Sequence, residues 1–204
     1  MQRKTNTRRS TSLSRGPLLW SGEHWILYLR PPGAEADSGQ LSLYCAAYSP
    51  AGRGTVAYID IPGSEGLTAV CTDNPDLADF IFDTMIRGSK NPFDRDLPQW
   101  RATFSRAGRI DLDPSWTVQS EHHTLTAIWE QLENPLVGPP TIKPHIVFTV
   151  LIFAAAGQMQ LDGMTVPGHP YPRDAWSKSL GQARSSCCFA LAETMVAAHS
   201  SDEA

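Results

Sequence analysis

The sequence predicts a mainly β protein built as one domain, and three observations carry the prediction. Fifteen glycines and sixteen prolines are spread through 204 residues, which implies many turns between short elements. Short alternating stretches recur with turn residues between them, the pattern of an antiparallel sandwich or barrel. Asp162-Gly163 interrupts an alternating stretch, and this dipeptide is the strongest short-range hairpin signal, because a type I′ turn needs positive φ at both central positions.

Taken in order, residues 20–29 read as a first strand, stopped by Arg30-Pro31-Pro32-Gly33. Residues 40–48 place Leu41, Leu43, Cys45 and Ala47 on one face. Residues 55–61 alternate again, and Leu67–Thr72 is a further short strand. One amphipathic helix then interrupts the series. Asn74 offers a side-chain cap, Pro75 suits the first helical position, and Leu77, Ala78, Phe80, Ile81, Thr84 and Met85 repeat at helical spacing up to Gly88. A strand is expected around Trp100, Ala102 and Phe104, with a short partner at 109–112. Residues 116–129 read as one long strand. Residues 146–156, rich in β-branched and aromatic side chains, read as a central strand buried on both faces that leads into the Asp162-Gly163 hairpin. A last strand is expected at 185–196. The domain plan is a basic, disordered tail over 1–19, one β-rich domain over 20–198, and a polar terminus over 199–204.

Charge narrows the partners. The net charge is −4, yet the first 22 residues hold Arg3, Lys4, Arg8, Arg9 and Arg15 and no acid, so the body is acidic. An acidic body argues against nucleic-acid binding. The basic start is not followed by an apolar segment of signal-peptide type, and no apolar run is long enough to span a bilayer as a helix. Cys45, Cys71, Cys187 and Cys188 have neither disulfide-framework nor zinc spacing, which points to reduced thiols and a cytoplasmic setting.

Few residues suggest chemistry. On a strand over 116–129, Glu121 and His123 share a face about 7 Å apart, near enough for a carboxylate to orient an imidazole. Glu193 shares its expected face with Phe189, Leu191 and Met195; pointing inward, its carboxyl would gain proton affinity, as a general acid requires. Glu121, His123 and Glu193 are therefore the catalytic candidates. His145 and His169 have no metal-site spacing with His123, and no metal or other cofactor is implied. Six tryptophans are many for this length; Trp100, Trp116 and Trp129, with Tyr58, are the candidate ligand-binding residues. No nucleophile elbow, phosphate loop or dinucleotide fingerprint is present.

The last third resembles the closing strands of lipocalin-like (calycin) barrels, in the group related to carotenoid hydratases. The resemblance rests on the apolar strand 147–153, on Leu161-Asp162-Gly163 with Val166-Pro167-Gly168, and on Ser185-Ser186 followed by Phe189-Ala190-Leu191-Ala192-Glu193. It implies a single-domain antiparallel β-barrel, lipocalin-like, with one amphipathic helix and an interior cavity for a small, largely apolar molecule. The expected function is binding of that molecule, with cofactor-free acid–base chemistry of the hydratase, isomerase or cyclase type as its enzymatic form. The alternative is a non-enzymatic interaction module using a sheet or helix face, and either is compatible with a homodimer.

Overall fold

The computed structural model describes residues 14–138, 141–142 and 145–199. The principal strands are β1 (Ser14–Leu29), β2 (Gly39–Tyr48), β3 (Gly54–Ile61), β4 (Leu67–Thr72), β5 (Gln99–Ala107), β6 (Ser115–Ser120) and β7 (Thr124–Leu132). Then come the two-residue β8 (Leu136–Val137) and β9 (Thr141–Ile142), β10 (His145–Phe148), β11 (Val150–Leu161), β12 (Met164–Thr165), β13 (Pro172–Arg173), β14 (Arg184–Ser185) and β15 (Cys187–His199). Strands β1 to β7, then β11 and β15, pair in that order, and β15 pairs back onto β1, so nine strands close in a ring.

All these ring pairings are antiparallel except β4–β5, which is parallel. The connection between those two strands carries α1 (Pro75–Ile81), whose last turn widens into a π-helix over Phe82–Ile86. Asn74 caps α1 by accepting the Leu77 N–H at 3.2 Å, with Pro75 where no N–H is needed.

The structure corrects the expected elements at the ends and in the middle of the chain. Residues 14–19, expected in the tail, belong to β1, and His199 ends β15 rather than opening a polar terminus. The rest of the expected tail, 1–13, and residues 200–204 lie outside the described residues. The expected strand 116–129 is two strands, because Ser120 Oγ accepts the N–H groups of His122 and His123 and turns the chain at Glu121-His122-His123. The expected strand 146–156 likewise breaks at Thr149 between β10 and β11. Residues 109–112 form a turn, with Arg109 O accepting the Leu112 N–H.

Alternation sends one face of each strand into the ring and the other outward. The interior is packed solid. Trp25 is stacked on Phe189 at 4.2 Å and meets Trp129 edge-on at 5.0 Å and Trp116 at 6.1 Å. Leu27, Leu41, Leu43, Ile59, Met159 and Cys187 fill the remainder, each at zero exposure. Gly157 is needed there, since a Cβ would lie 2.8 Å from Cys187 Sγ and 3.0 Å from Leu27 Cδ1. Outside the ring, Trp20, Tyr28, Tyr44, Val56 and Tyr58 are covered by Leu77, Ala78, Ile81 and Ile86 of the helix and by Phe93. Burial of each such aliphatic side chain contributes about 1.5–3 kcal/mol. A third cluster joins Phe153, Cys188 and Ala190 to Trp176 and Leu180 of the segment that follows β13.

Candidate functional site

The site begins with a fault in the β1–β15 ladder. Gly22 pairs with Glu193 and His24 with Ala190, so Glu23 alone faces both Leu191 and Ala192. Such a bulge reverses which face the following side chains take. Glu193 therefore does not lie on the face of Phe189, which points into the ring; it lies outside, with Met195 and Cys188. The same two residues loosen the opposite edge of β15, where the partner strand breaks at Thr149.

A cavity of about 590 Å³ opens against this fault, on the outer side of the ring. Its floor is Ile26, Val147, Leu151, Cys188, Glu193 and Met195. Thr84 and Met85 of the π-helix and the loop from Arg87 to Asn91 form one wall, and Trp176 forms another. Phe93, fully buried against Tyr28 and Tyr58, anchors the far end of that loop.

Several polar groups face the cavity. His24 Nδ1 stands 3.7 Å from Glu193 Oε1, with both side chains mostly buried. His24 Nε2 is 3.0 Å from Ser42 Oγ, and the imidazole is stacked on Tyr44 at 4.1 Å. Burial pushes the Tyr44 hydroxyl far above its ordinary pKa, and the nearby Glu193 carboxylate adds to the rise. His145 Nδ1 and Thr149 Oγ1 are buried and have no hydrogen-bond partner among the described residues. Buried polar atoms are normally satisfied, so these two are poised for a ligand's donor or acceptor. Burial raises the pKa of the Cys188 thiol, in the floor, to about 12, so it is protonated at neutral pH.

The expected site residues are divided. Glu193 is at the cavity, on the face opposite to the one expected. Glu121 is exposed in the β6–β7 turn and does not line this cavity. His123 is occupied structurally: its Nδ1 is 2.7 Å from Asp162 Oδ2, and its ring lies parallel to Trp100 at 6.0 Å. Asp162 also accepts the Thr124 N–H at 2.7 Å, so the pair ties the two hairpin turns together. The Thr124 N–H and His123 hold the Asp162 carboxyl below its usual range. Trp116 and Trp129 are packed inside the ring, where Trp129 Nε1 donates to Ile26 O at 3.0 Å. Tyr58 lies in the outer core and donates to Ala78 O at 2.9 Å. These rings fill space rather than line the main cavity. His24, Ser42, Tyr44, Thr149 and Trp176 are new to the site. One signal pointed to His24: it sits in a strand apolar on both faces, where a polar group needs partners.

Comparisons with family models, with curated proteins and with solved structures find no match for this chain. Its fold and site alone define its class, a closed-ring β protein with a lateral, largely apolar cavity that holds an imidazole–carboxylate pair.

Proposed function

We propose that this protein binds a small, largely apolar molecule in the lateral cavity and performs cofactor-free acid–base chemistry on it, of the hydration, isomerisation or cyclisation kind. One observation carries the reading. Glu193 and His24 converge at the floor of an apolar-lined space that also presents two polar atoms, His145 Nδ1 and Thr149 Oγ1, without a hydrogen-bond partner among the described residues. At 3.7 Å the His24–Glu193 contact is longer than a hydrogen bond, so a hydroxyl or an acidic C–H of a ligand can approach both groups. Glu193 takes the proton at Oε1 and returns it at a neighbouring position. His24 supports the carboxylate, held in orientation by Ser42 and by the stacked Tyr44 ring.

Native mass spectrometry of gently purified protein, followed by denaturing extraction, tests this. A stoichiometric small apolar molecule is expected, and it should be missing from a Val147→Trp variant whose cavity is filled. Equal retention by both proteins would place the molecule elsewhere and sink the reading.

A second reading rests on a different observation. Val150 pairs with Val137 on the neighbouring strand, and both are exposed, Val137 at 75%. This pair of aliphatics across adjacent strands favours a protein contact, including a homodimer. Val150→Asp would then lower the oligomeric mass measured by light scattering.

A further inference from the structure

Beside the main cavity lies a smaller one of about 200 Å³, which shares His24, Ile26, Asn91 and Trp176 with it. Its remaining polar lining is Tyr28, Ser42 and Arg173. Arg173 is half-buried, with its guanidinium 4.5 Å above the centre of the Tyr28 ring. Other arginines have acid partners: Arg30 with Asp37, Arg95 with Asp60, Arg106 with Glu23 and Arg184 with Glu133. Among the described residues no carboxylate forms an ion pair with Arg173. The chain as a whole is acidic, so a half-buried guanidinium whose neighbour is the Tyr28 phenol rather than a carboxylate is a local exception.

The groups that share the recess are suited to an anion. Asn91 can donate a hydrogen bond, and so can Ser42, whose Oγ is free to accept from His24 Nε2 at 3.0 Å while its own O–H points elsewhere. Glu193, the nearest acid of the site, lines the larger cavity and not the smaller one. A guanidinium presents parallel N–H groups that match a carboxylate, and that of Arg173 is held over the Tyr28 ring.

We propose that Arg173 receives the carboxylate of an amphipathic ligand whose apolar body fills the larger cavity. The substrate class is thus a small apolar carboxylic acid. Trp176 and Asn91, which line both spaces, stand at the junction of head and body. The inference rests on the lateral-cavity reading and adds the head group to it.

The test is calorimetric titration of the full chain with decanoic acid and with 1-decanol at pH 7.5. The acid should bind at least tenfold more tightly than the alcohol. Arg173→Gln should bring the acid to the affinity of the alcohol while leaving the alcohol unchanged. Arg173→Lys, which keeps the charge, should retain part of the preference and guards against a folding artefact. Equal binding of acid and alcohol by the unaltered protein, or a preference that survives in Arg173→Gln, would overturn the head-group assignment while the cavity reading stands. Failure of both compounds to bind would overturn both.

Discussion

His24 and Glu193 meet across adjacent strands only because two residues of β15, Leu191 and Ala192, stand opposite one residue of β1, Glu23. Regular pairing would turn Glu193 to the other face of the sheet. The bulge is thus the structural cause of the polar pair. Glu193→Gln should leave the fold intact, since its carboxylate makes no closer polar contact among the described residues than the 3.7 Å approach to His24. Turnover of the molecule released by extraction should fall about 10²–10⁴-fold, the usual contribution of a positioned proton donor or acceptor. Unchanged turnover in Glu193→Gln would remove the residue from the reaction.

The solid interior and the lateral cavity make opposite demands on substitution. Trp116→Ala should lower stability by about 3–5 kcal/mol in chemical denaturation, because it empties part of the ring core. Its affinity for 1-decanol should not change. Val147→Trp should abolish 1-decanol binding with little loss of stability, because the new ring occupies existing space. The reverse pattern would return the ligand to the interior of the ring.

Two glycines separate close packing from backbone geometry. Gly163 has φ +80° with nothing within 4 Å of an added Cβ, so Gly163→Ala should cost about 1–2 kcal/mol from conformation alone. At Gly157 the conformation is ordinary and the space is closed, and Gly157→Ala should cost about 1–3 kcal/mol through overpacking. Equilibrium unfolding in urea measures both.

Alkali should unfold this protein early. Burial raises the Tyr28 hydroxyl to about 12 from 10.0, and raises the thiols of Cys71 and Cys188 to about 12 from 9.0. Their folded pKa values exceed the unfolded ones, so the stability they contribute is complete below pH 9 and is lost as pH climbs toward 12. Each group removes up to about 1.4 kcal/mol per pH unit across its own window. Urea midpoints should therefore fall steadily above pH 9, and tyrosinate absorbance should rise together with unfolding. Full tyrosine ionisation in a protein that remains folded would contradict the burial of Tyr28, Tyr44 and Tyr58.

What could be read from the sequence was local. The turn at Asp162-Gly163 needs positive φ, and both residues have it, at 52° and 80°. The helix start at Asn74-Pro75 depends on neighbours within one turn. Alternation in residues 40–48 and 55–61 placed Leu41, Leu43, Ala57 and Ile59 together correctly, since strand parity is local too. The site was not local. His24 and Glu193 belong to opposite ends of the chain, and their meeting depends on a register fault that neither stretch announces. The break at Glu121-His122-His123 was not legible because that turn has neither glycine nor proline; the Ser120 hydroxyl makes it instead. Cys187 and Cys188 face opposite sides of their strand and are both fully buried, because Trp176 and Leu180 pack beside the outer face.

The lone parallel pairing of β4 with β5 has a consequence of counting. A closed cycle whose members must alternate in direction can be completed only with an even number of members. This cycle has nine, so somewhere two neighbours have to run the same way. A same-way step cannot be made by a hairpin; the chain must travel back over the outside before it can begin the next strand. That return journey is α1, the π-turn and the loop to Phe93, the very segment that supplies one wall of the cavity. The shelter over His24 and Glu193 is thus what an odd number obliges the chain to build.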